Sequence, residues 1–125
     1  KPVLAKYLLA SEGHKQAVND VVHPAVARDF ERSGMDWLES AILFDSGFDR
    51  RTHFDYKVCV TAPTEVRVAR VMARDRISRE KTLEWIHAQL PQEKVKAMCD
   101  FEIVNDGEAD IARQVCLLLQ SVNFR

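Results

Sequence analysis

Glycine is scarce in this chain, and the four that occur, at 13, 34, 47 and 107, are too far apart to build a phosphate-cradling loop. No G-x-x-x-x-G-K-[ST] segment can be written within the 125 residues, and G-x-S-x-G is missing too. Cysteine is equally sparse. Cys59, Cys99 and Cys116 are odd in number, widely spaced and without a C-x-x-C, which excludes a disulfide framework and gives no zinc signature. Cys59 and Cys116 lie in apolar runs and read as small core residues, and free thiols fit a reducing cytoplasm. His14, His53 and His87 have no cysteine or carboxylate at ligand spacing, so no metal site is read. No apolar run approaches the roughly 18 residues of a spanning helix. The net charge of -1, from 18 basic against 19 acidic residues, provides no global field toward nucleic acid or anionic lipid. Any basic site has to be local. The chain opens on Lys1-Pro-Val, with neither an initiator Met nor a signal-peptide pattern, and runs straight into helical spacing, as though it began mid-protein.

What is present reads as one globular domain, with 46% hydrophobic and 30% charged residues. Val3, Leu4, Tyr7 and Leu8 have helical spacing over residues 2–10. A second helix is predicted from about Glu12 to Arg32, with Ala17, Val18, Val21, Val22, Ala25 and Val26 inward, a kink or break near Pro24, and its end at Ser33-Gly34. Residues 37–44 read as a mostly buried strand, 45–49 as a turn or short helix, and 56–61 as a β-branched strand. Pro63 and Glu65 suit the first turn of the next helix, and Ser78 suits the cap of the one after it. Leu83, Ile86 and Leu90 form the expected buried stripe of that second helix. Pro91 restarts a helix over residues 92–98. Phe101–Val104 is a third strand, closed by Asn105-Asp-Gly107. A last helix, about 108–120, turns Ile111, Val115, Leu118 and Leu119 inward and leaves a frayed end at 122–125. Strands alternating with helices predict an α/β fold with a parallel sheet.

Chemistry concentrates in the helix after Pro63. Arg67, Arg70 and Arg74 recur at i, i+3 and i+7, so their guanidinium groups share a face opposite Val68, Val71 and Met72. Such a face suits bidentate clamping of phosphate oxygens; a solvated helix surface is the alternative. His23-Pro24 could meet a polar ligand where the proline frees a carbonyl, or be a partly buried histidine. Asn105-Asp-Gly107 stands at the carboxyl end of a strand, where ligands of parallel sheets bind, though it is also good turn chemistry.

Together these stretches resemble the dephospho-CoA kinase family. The resemblance rests on Val21-Val22-His23-Pro24, Ala41-Ile-Leu-Phe44 with Ser46-Gly-Phe-Asp49, Arg70-x-x-x-Arg74-Asp75, Ser78-x-Glu80, Ala88-Gln89 and Ile103-Val-Asn-Asp-Gly107, in order, from about Leu4 to Leu119. It implies ATP- and magnesium-dependent phosphorylation of the 3′-hydroxyl of the dephospho-CoA ribose, the last step of coenzyme A synthesis. It also implies a P-loop kinase-type three-layer α/β fold with parallel strands. In it, residues 1–34 form a helical CoA-binding region, 35–69 and 100–125 the α/β core, and 70–99 the lid. His23 is then a substrate contact, Arg70 and Arg74 the lid's phosphate contacts, and Asn105 and Gly107 neighbours of the ATP adenine.

The family commonly has Pro at Ala41, Gly at Arg76 and Arg at Trp85, and the spacing from Pro24 to Ala41 is shorter here. In the family a P-loop strand, its Gly-rich loop with Lys and an acidic residue proposed as general base precede the matched segment. The magnesium ligands are likewise not in this chain. The expectation is therefore part of a longer, cytoplasmic kinase, monomeric or a small homo-oligomer, acting on dephospho-CoA and ATP, with no nucleic-acid or membrane partner. This segment alone is expected to turn over no substrate. A non-catalytic nucleotide- or CoA-binding module, or another P-loop small-molecule kinase, are the alternatives.

Overall fold

A computed structural model describes residues 1–122, and the chain divides into two units, Lys1–Phe54 and Asp55–Arg125. The first is helical. α1 (Pro2–Ala10) and α2 (Glu12–Ser33) pack on one another, and α3 (Phe48–Arg51) packs on α2. Ser11 separates α1 from α2 and caps the second helix, its hydroxyl accepting from the His14 N–H at 3.1 Å. The His14 ring stacks on Tyr7 at 4.0 Å, and its Nδ1–H donates to the Tyr7 carbonyl. α2 runs unbroken through Pro24 and stops at Gly34, whose left-handed φ of 68° is the conformation glycine adopts without steric cost.

The interior of this unit is aromatic. Phe30, Phe48 and Phe54 pack with ring centroids about 6 Å apart, beside buried Ala27. The inward face expected for α2 is corrected: Val21, Val22 and Val26 stay exposed, and Ala27 is the buried residue. A helix buries only the stripe another element covers, and α3 covers the stripe through Ala27 and Phe30. The strand expected at 37–44 does not form. Residues 37–40 are irregular and 41–47 are turns, with Trp37 and Ile42 exposed. The rest of this unit is helical, so a strand here has no ladder partner within it. The backbone instead bonds locally, Ser46 N to Ile42 O and Phe48 N to Leu43 O.

The second unit is α/β. β1 (Val58–Thr61) is followed by α4 (Thr64–Asp75), α5 (Arg79–Ala88) and α6 (Gln92–Ala97), then β2 (Phe101–Val104) and α7 (Ile111–Ser121). β1 and β2 pair in parallel, with Val58 opposite Phe101 and Thr61 opposite Val104. The ladder continues at both ends, through Asp100 N to Lys57 O at 2.8 Å and Asn105 N to Thr61 O at 2.7 Å. Side-chain amides occupy further backbone groups. Gln92 Oε1 accepts from Ala62 N, while Gln114 both accepts from Val104 N and donates to Val104 O. The core here is Cys59, Ala62, Val68 and Ile103, with Thr61 and Thr82 also buried.

Four expectations for this unit are corrected. Ile111, Val115 and Leu119 of α7 remain more than a third exposed, because α7 meets β2 through Gln114; Gln114 and Leu118 are its less exposed residues. Cys116 is likewise exposed rather than core. In α5 the deepest residue is Thr82, fully buried with its hydroxyl donating to Ser78 O at 2.8 Å, while Leu83, Ile86 and Leu90 are half-buried. Pro63 is the cap of α4 rather than its first residue. Of the end expected to fray, residues 123–125 lie outside the described residues.

α4 ends at Arg76, whose φ of 54° is left-handed and whose N–H donates to Met72 O. This is a helix stop where Cβ clashes and glycine does not, and the family's usual glycine at this position acquires a physical reason. Arg76→Gly is expected to stabilise the protein by about 1 kcal/mol, read as a higher denaturant midpoint. A lower midpoint would mean that the arginine side chain contributes more than the backbone strain it costs.

Candidate functional site

α4 and α5 form a helical hairpin. Its elbow is built by the left-handed stop at Arg76 and by the Ser78 cap, whose Oγ accepts from Lys81 N at 3.2 Å. Immediately after the elbow, Arg79 reaches the first turn of α4 and forks onto Glu65 with bonds of 2.9 and 2.7 Å. Hydrogen bonding from Arg79 and its positive charge hold the Glu65 carboxyl below the usual glutamate range.

Between the two helices lies an open cleft of about 290 Å³. Arg67, Arg70 and Arg74 line it from α4, and Trp85 and Ile86 from α5, with Gln89 just past the end of α5. The i, i+3, i+7 spacing read from the sequence therefore brings all three guanidinium groups to one concave surface.

Their partners differ. Arg70 Nη1 donates to the Asn105 backbone carbonyl at 2.7 Å, tying α4 to the carboxyl end of β2. Gly107 stands close by, where an added Cβ would meet Arg70 Nη2 at 3.9 Å. Arg74 forks onto its neighbour Asp75, with bonds of 3.0 and 2.7 Å, and its side chain is exposed. That pairing holds the Asp75 carboxyl down and the Arg74 guanidinium up. Between Asn105 and Gly107, the Asp106 carboxylate accepts from Ala109 N at 2.8 Å and Glu108 N at 2.9 Å, which shapes the loop and lowers its own pKa.

Of the residues singled out from the sequence, the structure thus gathers Arg70, Asn105 and Gly107, and sets Arg74 in the same cleft as Arg70. His23 belongs to the other unit, half-buried on α2. Sequence reasoning did not single out the Glu65–Arg79 clamp. Its residues are 14 apart, beyond the reach of spacing rules within one helix. Chemically, the cleft is a set of donors whose neighbouring carboxylates, Asp75 and Asp106, are engaged in hydrogen bonds of their own, an arrangement suited to an anion such as phosphate.

Beneath the sheet's start, Cys59 and Cys99 sit side by side. Burial, then the adjacent Cys59 sulfur, push the Cys99 thiol up to about 11, and burial raises Cys59 as well.

The family model described as "CoaE: Dephospho-CoA kinase" matches residues 1–110. A dephospho-CoA kinase of Bacteroides fragilis is 39% identical, over 95% of this chain and 60% of the relative. One of Thermus thermophilus is 34% identical, over 86% of this chain and 55% of the relative. A crystal structure from Thermus thermophilus superposes with a TM-score of 0.80 at 30% identity, covering 99% of this chain and 67% of that one. The chain therefore spans about 60% of the length of the curated relatives it matches. The resemblance and the α/β fold class read from the sequence are both upheld.

Two outcomes follow from the titrating groups. Alkylation with iodoacetamide near neutral pH should label exposed Cys116 first and leave Cys99 unmodified until the pH nears 11. Mass mapping that finds Cys99 labelled first would contradict its shielding. The Glu65–Arg79 clamp depends on a carboxylate whose folded pKa is depressed. Its stabilisation is complete above the ordinary glutamate value of about 4.3 and is lost as pH falls through the lower folded value. Arg79→Gln should flatten that acid limb in pH-dependent melts; an unaltered limb would show that the clamp contributes nothing there.

Proposed function

The chain belongs to the dephospho-CoA kinase family, and we propose that the protein transfers the terminal phosphoryl group of ATP to the 3′-hydroxyl of the dephospho-CoA ribose. The observation that carries this reading is the cleft in which Arg67, Arg70 and Arg74 converge from one face of α4, with Arg70 anchored to the loop that closes β2.

In this reading residues 70–99 form the lid, 35–69 and 100–125 belong to the core, and 1–34 bind the CoA moiety with His23 on the substrate side. Phosphoryl transfer leaves little covalent work to the protein, so the contribution of these residues is position and charge. Arg70 keeps one donor on the Asn105 carbonyl, which fixes its aim, and retains further N–H groups for a phosphate. Arg74 shares its fork with Asp75 and turns toward the phosphoryl group as negative charge builds on the oxygens. Asn105 and Gly107 flank the adenine, with the bare Gly107 backbone permitting close approach. Magnesium prefers oxygen ligands, and a cleft lined by guanidinium groups does not fit it. When bound elsewhere it would neutralise phosphate charge, and no step here is routed through it. The reading also includes a cytoplasmic protein, monomeric or a small homo-oligomer, without nucleic-acid or membrane partners. Among the described residues no helix is long and apolar enough to cross a membrane.

The test is turnover of dephospho-CoA and ATP by the intact enzyme, with and without the arginines. Arg70→Ala and Arg74→Ala should each lower kcat by about tenfold or more. An unchanged kcat in either variant removes that residue from the mechanism. Binding of both ligands without turnover by the unaltered enzyme would favour a non-catalytic module instead.

A further inference from the structure

Arg67 is the guanidinium of the cleft that the local structure leaves uncommitted. Arg74 is neutralised by Asp75, and Arg70 spends a donor on the Asn105 carbonyl. The Arg67 side chain, half-buried one turn before Arg70, makes no hydrogen bond or ion pair among the described residues. The nearest clamp, Glu65 with Arg79, is already closed on itself. Across the cleft on α5, Trp85 adds a flat apolar wall and no charge. Its N–H groups line the cleft with no protein acceptor among the described residues, so they are free to take up the oxygens of an anion.

We propose that Arg67 is a phosphate-binding arginine of this cleft and sets its affinity for the phosphoryl donor. All of the cleft's positive charge then comes from α4, while α5 supplies shape. Arg67 remains paired to bound phosphate throughout turnover and is not spent on the transition state, so its loss falls mainly on ground-state binding. This rests on the reading of the cleft as the holder of the donor's phosphates.

The experiment compares Arg67→Gln, Arg67→Lys, Arg70→Ala and the double variant Arg67→Gln with Trp85→Arg in the intact enzyme, by steady-state kinetics and by calorimetric titration with ATP. Arg67→Gln should raise the KM for ATP and weaken ATP binding about tenfold, with a smaller fall in kcat and an unchanged melting temperature. Arg67→Lys should recover part of that loss, since an ammonium keeps the charge but not the fork. Trp85→Arg, by returning a guanidinium to the same cleft from the other helix, should recover most of it. ATP affinity within about twofold of the unaltered enzyme in Arg67→Gln, while Arg70→Ala is impaired, would overturn the assignment of Arg67 and leave the cleft's role intact. Normal behaviour of both Arg67→Gln and Arg70→Ala would overturn the cleft reading and this inference together.

Discussion

The parallel pairing of β1 with β2 is the constraint from which the second unit takes its form. Antiparallel neighbours can be joined by two residues, but parallel ones need a crossover that carries the chain back to the start of the sheet. Here that crossover is α4, α5 and α6. Its first helix leaves the carboxyl end of β1 beside the carboxyl end of β2, because Thr61 and Val104 are register partners. Arg70 can then reach the Asn105 carbonyl with a single side chain. The cleft is thus a product of connectivity as much as of the residues that line it.

Charge is distributed along this frame with economy. Glu65 and Arg79 satisfy each other at one side of the hairpin, and Lys96 with Thr61 satisfies Glu102 near the sheet. Asp75 covers Arg74 and Asp106 is consumed by its own loop. On the inner face of α4, Arg67 and Arg70 are left without a hydrogen-bonded carboxylate among the described residues. A chain that is electrically balanced as a whole, at a net charge of -1, therefore still gathers three arginines along one local cleft.

Features that depend on a few neighbouring residues were legible before any coordinates. The arginine face of α4 follows from helical period alone, the Ser78 and Gly34 boundaries from cap chemistry, and Phe101–Val104 from composition between turn signals. Features that depend on what covers a surface were not. Residues 37–44 have strand composition, but strand formation needs an edge to pair with, and propensity does not contain that information. The apolar faces of α2 and α7 have the right period, yet period says where a stripe lies and not whether another element meets it. The site divides the same way. Arg67, Arg70 and Arg74 could be grouped from spacing, whereas the Asn105 carbonyl as an anchor for Arg70 involves a backbone atom 35 residues away. The Asp75 fork on Arg74 falls between adjacent residues, which helical spacing rules do not pair.

Gln114 illustrates how much can hang on one amide. Its side chain meets Val104 as a neighbouring strand would, one atom accepting from the backbone N–H and the other donating to the carbonyl. Slow hydrolysis of that amide to a carboxylate would keep the first bond and turn the second into repulsion between two oxygens. The residue just before the Asn105 anchor of Arg70 would lose its support without any change in the gene. Chemical ageing of the purified protein would thus reach the arginine cleft through the far side of β2.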